Sequence, residues 1–281
     1  MNIIDCKSIR EEMLTEAREK IASLPKKLKL AIIQVDSDDA SEVYVRNKIK
    51  TADSVGIDIH VIKIHKYATL LDVSTAIGYC NDRSDIMGVM LQLPLPDHLK
   101  QYERDLLDMI SWDKDVDGLS SESVGRLWTD KPCITPATPT GLLRLLPEDL
   151  SEYKVTIINR SNLIGKPLTK LLLDRDATVS VCHSKTPLIT PVVSDSDIVI
   201  TGIGKPKYLD WEISDDQIWI DCGISRDKNG KLCGDVDTDY IEENLFNVSV
   251  TPVPGGVGIL TTAQLMLNVI KAYELQEAKH E

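Results

Sequence analysis

Short apolar runs alternating with helix-length amphipathic segments constrain this chain more than any other feature. LKLAIIQV (28–35) leads into a helix pattern from about Asp39 to Val55, followed by the strand-like IDIHVIKI (57–64). A second helix pattern, about Leu70 to Asn81, precedes the apolar run IMGVMLQL (86–93). A stretch rich in Asp, Pro, Gly and Thr (111–141) reads as a crossing between two domains. The alternation then resumes with KVTIIN (154–159), a helix from about Gly165 to Leu173, and the short strands ATVSVCH (177–183), DIVITG (197–202) and QIWIDC (217–222). Parallel strands need long crossovers, usually helical, so this order predicts βαβ units around mainly parallel sheets. The second half has the pattern of a doubly wound, Rossmann-like sheet. Asn229-Gly230 marks a tight turn within it.

Length and charge narrow the function classes. The 281 residues suffice for two domains with separate cores. A net charge of −12 argues against a nucleic-acid or anionic-membrane surface. No apolar run reaches the roughly 18 residues that span a bilayer, and MNIIDCKSIREE lacks the form of a secretory signal. Cys6, Cys80, Cys133, Cys182, Cys222 and Cys233 form no CxxC pair, so reduced, mostly buried thiols in a cytoplasmic protein are expected, with no metal site.

The segment 41–56 carries the clearest chemical signal. At about 100° per residue, Ser41, Tyr44, Val45, Lys48, Ile49, Ala52, Val55 and Gly56 share one arc, whereas Glu42, Arg46, Lys50 and Asp53 lie opposite. Lys48 is the charge on the mainly apolar side. It either snorkels to water or enters a pocket, where desolvation lowers its pKa and makes it a usable proton carrier. Tyr44, one turn earlier, is placed to hold the amine. Gln92 ends IMGVMLQL just before Pro94 and Pro96: it is either a site-forming residue at the carboxyl end of a strand, where open α/β sheets gather ligands, or simply exposed at a proline-stopped strand. Asp117 in KDVDG is either a turn-forming aspartate or a pocket carboxylate for the paired N–H donors of an aminopyrimidine-like ring.

IINRSNLIGKPL joins a strand to a helix, and donors at that helix start, with Ser161 and Gly165, suit a pyrophosphate. It is not G-x-G-x-x-G; Asn159 stands at the first special position of the turn, as a residue able to adopt a left-handed backbone. The next strand ends His183-Ser184-Lys185 without the acidic residue that binds the ribose hydroxyl of NAD. Arg160, Ser184 and Lys185 instead offer donors and positive charge to a ribose phosphate, favouring NADP. His183 is either a strand-end residue satisfied locally or a ligand contact. Near the C-terminus, Thr251-Pro-Val-Pro-Gly-Gly-Val-Gly258 makes a stiff turn of little side-chain bulk before a long apolar helix pattern. Such a turn is either an ordinary loop or a place where backbone closely approaches a flat or anionic ligand.

In order, YVRNK, QLPLP, KDVDG, VGRL, TPATPTG, NRSNLIGKP, CHSKT, CGDVD and TPVPGGVG resemble the bifunctional methylenetetrahydrofolate dehydrogenase/methenyltetrahydrofolate cyclohydrolases of the FolD type. The resemblance covers nearly the whole chain. It implies an α/β catalytic, folate-binding domain (1–138 plus 262–281, with the C-terminal helix returning to it) and a Rossmann-like NADP-binding domain (139–261). It also implies a cytoplasmic homodimer, with folate between the domains and tetrahydrofolate derivatives, polyglutamylated forms among them, as partners. Carried across by motif, Lys48 is the cyclohydrolase proton carrier, Tyr44 stacks on the substrate, Gln92 assists Lys48, and Asp117 anchors the pterin. Pro252, Gly255 and Gly256 approach the substrate, Gly256 the cofactor as well. Asn159, Arg160, Ser161, Gly165, His183, Ser184 and Gly204 fall on the cofactor side. The chain departs from the family's usual pattern in Asn159 for Gly, Ile259-Leu260 for Pro-Met, and Ala137 for Cys. Two alternatives stand beside this reading: a monofunctional or NAD-preferring dehydrogenase, and a folate- or nucleotide-binding paralogue without turnover.

Overall fold

The structure, a computed structural model, describes residues 1–35, 39–209, 213–244 and 247–279, apart from the side chains of Asp39, Ala40, Ser41 and Tyr44. In chain order the first elements are β1 (Asn2–Ile3), α1 (Cys6–Ala22), β2 (Lys29–Val35), α2 (Asp39–Val55), β3 (Asp58–Ile64), α3 (Leu70–Asp82) and β4 (Gly88–Leu91). Then come α4 (Glu103–Asp108), α5 (Ser121–Trp128), α6 (Ala137–Leu142), β5 (Lys154–Ile158), α7 (Gly165–Leu173), β6 (Thr178–Cys182) and α8 (Thr190–Ser194). The last are β7 (Ile198–Thr201), β8 (Ile218–Asp221), β9 (Ser225–Arg226), β10 (Leu232–Cys233), α9 (Thr238–Asn244), β11 (Ser249–Val250) and α10 (Val257–Glu277). The chain divides into one unit of residues 12–137 and 262–281, here the first, and a second of residues 1–11 and 138–261.

In the first unit β3, β2 and β4 form a parallel sheet in that order. Strand side chains alternate between faces. Ala31, Ile33, Val35, Val89 and Leu91 therefore pack into a core with Val73, Ile77 and Cys80 of α3 and Leu106 and Leu107 of α4. The other face carries Gly88, where a Cβ would lie 2.5 Å from Val116 Cγ1 and 3.5 Å from Val269 Cγ2, so α10 packs there against the sheet. Local chemistry fixes both ends of α3. Thr69 and Asp72 form a reciprocal capping box at its start. At its end, the buried Lys114 ammonium donates to the carbonyls of Cys80 (3.2 Å), Asn81 (2.8 Å) and Arg83 (2.8 Å). Those contacts satisfy carbonyls that a helix end leaves unpaired.

The second unit holds a parallel sheet of order β1-β11-β8-β7-β5-β6. Val155 and Ile157 of β5, Ile198 and Ile200 of β7 and Ile220 of β8 face Leu168 and Leu172 of α7. Ile158, Val199 and Trp219 take the opposite face with Val193 of α8 and Ile241 of α9. Helices on both faces make the sheet doubly wound, and its strands read as continuous apolar runs because both faces are buried. Asn229-Gly230 turns the β9–β10 hairpin, with Gly230 at φ +78°.

The structure corrects the expected grouping of residues 1–11 with the first unit. Asn2 and Ile3 pair in parallel with Ser249 and Val250, which ties the N-terminus to the second sheet. The segment read as a crossing also contains α5, capped by Ser120, whose hydroxyl accepts from the Ser123 N–H. The six cysteines are free, with Cys6, Cys80 and Cys182 buried and the others half-buried. Among the described residues, no helix is long and apolar enough to cross a membrane and no His/Cys/Asp/Glu group is arranged to hold a metal ion.

Candidate active site

Lys48 is half-buried in the first unit because the face of α2 that carries it is the buried one. Val45, Ala52 and Val55 of that helix are buried, whereas Arg46 and Lys50 are exposed. The Lys48 Nζ donates to Gln92 Oε1 at 2.8 Å and lies 3.5 Å from Met90 Sδ. Lys48 is therefore held at its tip by the protein while part of the side chain stays exposed. Gln92 follows β4 directly, and its N–H still donates to the Ile33 carbonyl (2.8 Å), so the sheet ladder sets its position. Its Nε2 donates to the Leu93 carbonyl at 2.7 Å, which turns the amide oxygen toward the lysine. Tyr44 belongs to α2 one turn earlier, but its side chain lies outside the described residues.

Asp117 is built into the same unit by the turn that follows α4. Asp115, two residues before it, is buried and accepts from the Ser120 N–H and the Ser123 hydroxyl, each at 2.8 Å. Gly118 follows at φ +63°, where a Cβ would stand 2.7 Å from the Ile134 carbonyl oxygen, so a side chain is excluded by conformation and space together. Asn268 of α10 donates to the carbonyls of Val116 (2.8 Å) and Thr135 (2.9 Å) and so holds the backbone on the near side of Asp117.

The electrostatics couple these groups. Burial pushes the Lys48 ammonium below the usual lysine range, and the charge of Asp117 opposes that shift. Burial raises the Asp117 carboxyl to about 6, with Lys48 pulling it down and Asp115 adding to the rise. A lysine with a weakened hold on its proton, oriented by a carboxamide that cannot take the proton itself, is suited to acid–base work.

In the second unit, the β5–α7 turn is closed by Asn159. Its Oδ1 accepts from the N–H groups of Ser161 (2.7 Å) and Gly165 (3.1 Å), and its Nδ2 donates to the Gly202 carbonyl (2.6 Å). The expectation of a left-handed backbone at Asn159 is overturned: the non-glycine residues with positive φ among those described are Asp130, Asp176, Lys207 and Asp216. Asn159 suits this position through the hydrogen bonds of its side chain. Gly165 packs so close that a Cβ there would lie 2.2 Å from the Asn159 carbonyl oxygen. The Ser161 hydroxyl accepts from the Ile164 N–H at 3.1 Å.

Ile158 and Cys182 are register partners, so Arg160 and Ser184, each two residues further on, extend from neighbouring strand ends. Both are exposed, as is Lys185. His183 is half-buried and engaged locally: its Nδ1 accepts from the Lys185 N–H (3.1 Å) and its own N–H donates to Thr186 Oγ1 (2.9 Å). Gly204 (φ +75°) lies in the loop after β7. In the C-terminal turn Gly255 has φ +97°, and a Cβ on Gly256 would meet the Pro252 carbonyl oxygen at 2.3 Å. Ile259 and the fully buried Leu260 belong to the first turn of α10.

Sequence reasoning missed the supporting groups Asp115, Met90 and Asn268. Asn268 left a signal, an asparagine inside the apolar run LMLNVI.

Comparison with known proteins gives this geometry its context. The catalytic-domain model of tetrahydrofolate dehydrogenase/cyclohydrolase matches residues 4–117, and the NAD(P)-binding-domain model of the same family matches residues 134–277. A protein of Agathobacter rectalis named bifunctional protein FolD is 41% identical over 278 residues, covering 96% of this chain and 98% of the relative. The crystal structure of a bifunctional 5,10-methylenetetrahydrofolate dehydrogenase/cyclohydrolase from Thermoplasma acidophilum superposes with a TM-score of 0.91 at 32% identity, covering 99% of this chain and 100% of that one. A Trypanosoma brucei enzyme of the same description, complexed with NADP cofactor and inhibitor, gives 0.88 at 28% identity, covering 98% of each chain. By matches that span both units, this chain belongs to the tetrahydrofolate dehydrogenase/cyclohydrolase family.

Proposed function

We propose that this protein oxidises 5,10-methylenetetrahydrofolate to the 5,10-methenyl form with NADP⁺ and then hydrolyses that product to 10-formyltetrahydrofolate. The observation that carries the reading is the Lys48–Gln92 hydrogen bond of 2.8 Å, in a unit that also holds a half-buried Asp117 coupled to the lysine. Hydration of a methenyl cation needs a proton taken from water and a proton delivered to a ring nitrogen, and Lys48 is the group with the chemistry for both. Gln92 orients the amine. Asp117 accepts the N–H donors of the pterin, and Tyr44 stacks on that ring. Hydride loss leaves a cation stabilised by two flanking nitrogens, so that step chiefly needs positioning.

The dinucleotide is assigned to the second unit. Arg160 and Ser184 extend from adjacent strands where the generic fold carries an acidic residue for NAD, which supports a 2′-phosphate. NADP, when bound, supplies the hydride acceptor. Ser161, Gly165, His183 and Gly204 line the same strand ends, and Pro252, Gly255 and Gly256 offer backbone without bulk. The assembly proposed is a homodimer in the cytoplasm. Its support is the edge strand β6, which among the described residues ends the sheet order with Val181 40% exposed.

The test supplies methenyltetrahydrofolate alone, with no dinucleotide. Hydrolysis well above the uncatalysed rate is expected, and an uncatalysed rate would exclude the reading. The pH profile is a second expected outcome. The Asp117 pKa, raised to about 6 in the free protein, places its ionised, pterin-binding form above that pH. Below it, kcat/KM for the folate should fall about tenfold per pH unit, and Asp117→Asn should remove that limb while lowering the plateau. A limb that persists in the variant would assign the titration to another group.

A further inference from the structure

The second unit contains a pair of buried carboxylates that the chemistry above does not use. Asp235 is fully buried and accepts from Thr201 Oγ1 (2.9 Å) and from the consecutive N–H groups of Ile203 (2.5 Å), Gly204 (2.9 Å) and Lys205 (2.9 Å). Successive N–H groups converging on one point form a concavity that suits an anion such as phosphate. Here a side chain of the protein fills it. The backbone around Asp235 is stitched to the same loop, with Lys207 N–H donating to the Gly234 carbonyl (3.0 Å) and Leu209 N–H to the Asp235 carbonyl (2.9 Å).

Asp221 extends the arrangement to the neighbouring strands. It ends β8 as the register partner of Thr201, and its carboxylate accepts from the N–H groups of Gly223 (2.8 Å) and Val236 (2.9 Å). Its own N–H donates to Thr251 Oγ1 (2.8 Å), the residue that opens the Pro/Gly turn. The packing admits no side chains opposite: a Cβ on Gly223 would lie 2.3 Å from Asp235 Oδ1, and one on Gly234 would lie 2.0 Å from Asp221 Oδ2. Two carboxylates therefore tie the ends of β7 and β8 to the start of the turn after β11. This is the carboxyl edge of the sheet, where open α/β folds bind their ligands.

We propose that Asp235 is a positioning residue for the dinucleotide: as an internal acceptor it saturates the donors of the 203–205 loop and fixes that loop in the shape that receives the cofactor. The loop then offers NADP a backbone contour and not a phosphate site. This rests on the assignment of NADP to the second unit.

Asp235→Asn tests it. The asparagine keeps the volume, but either its Nδ2 opposes the Ile203 N–H or, flipped, it opposes those of Gly204 and Lys205. The KM for NADP⁺ should rise about tenfold or more, with kcat changed by less than about threefold and cyclohydrolase turnover of methenyltetrahydrofolate, assayed without dinucleotide, unchanged. Thr201→Val withdraws one donor without adding an opposing one. It serves if the first variant does not fold, with a rise in KM of about threefold expected. A KM at the wild-type value overturns the proposal, as does a parallel loss of both activities, which marks a general loss of fold. Wild-type protein that oxidises nothing with NADP⁺ would instead remove the functional reading beneath it.

Discussion

Replacing Lys48 by methionine is expected to lower cyclohydrolase turnover about 10²- to 10⁴-fold, the range of a lost general acid–base group, while the Kd for NADP⁺ stays within about twofold. Methionine keeps most of the length and volume of lysine but carries no proton. The substitution strips the Gln92 amide oxygen of its 2.8 Å donor and removes the charge that pulls the Asp117 carboxyl down. The acid limb of kcat/KM near pH 6 should therefore move upward in the variant, because a carboxylate without its cationic neighbour holds its proton to higher pH. Stopped-flow decay of added methenyltetrahydrofolate, with NADP⁺ titrated separately by calorimetry, reads both effects. Undiminished hydrolysis by folded protein would remove Lys48 from the mechanism.

Gly165→Ala should be as damaging to the other activity. The added methyl would sit 2.2 Å from the Asn159 carbonyl oxygen and 2.8 Å from its Oδ1, contacts with backbone and with a side chain already tied to Ser161 and Gly202. No rotamer relieves a clash with a carbonyl, so the β5–α7 turn must open. The expected cost is about 3 kcal/mol or more in the stability of the second unit. NADP⁺ affinity should fall about 100-fold, because the donors at the start of α7 lose their arrangement. Cyclohydrolase turnover measured without dinucleotide should survive, because Lys48, Gln92 and Asp117 belong to the first unit. Calorimetric titration with NADP⁺ checks the first part; unaltered affinity would show that this turn does not receive the cofactor.

The strands and helices that the sequence revealed are those long enough to show a period. The range about Asp39 to Val55 is that of α2, and Gly165 to Leu173 is that of α7. β1 and β11 escaped because two residues carry no alternation, and with β1 went the correct home of the N-terminus. Lys48 was legible as a charge on an apolar arc, but the arc alone could not separate snorkelling from burial. Its partner was not legible either: Gln92 is brought within reach across 44 residues of sequence. Asn159 was misread because backbone freedom was weighed before hydrogen bonding: three side-chain bonds, not a positive φ, suit asparagine to the turn. Asp235 lay in plain view in CGDVD, yet its donors come from a loop about thirty residues earlier, a convergence that only tertiary structure supplies.

The most direct measurement gives the protein 5,10-methylenetetrahydrofolate and NADP⁺ together and follows NADPH and the methenyl intermediate spectroscopically in one cuvette. The account predicts that NADPH forms, that the methenyl signal passes as a transient, and that 10-formyltetrahydrofolate accumulates in step with NADPH. It would be contradicted by NADPH formation with methenyl decaying only at its uncatalysed rate, or by no NADPH at all.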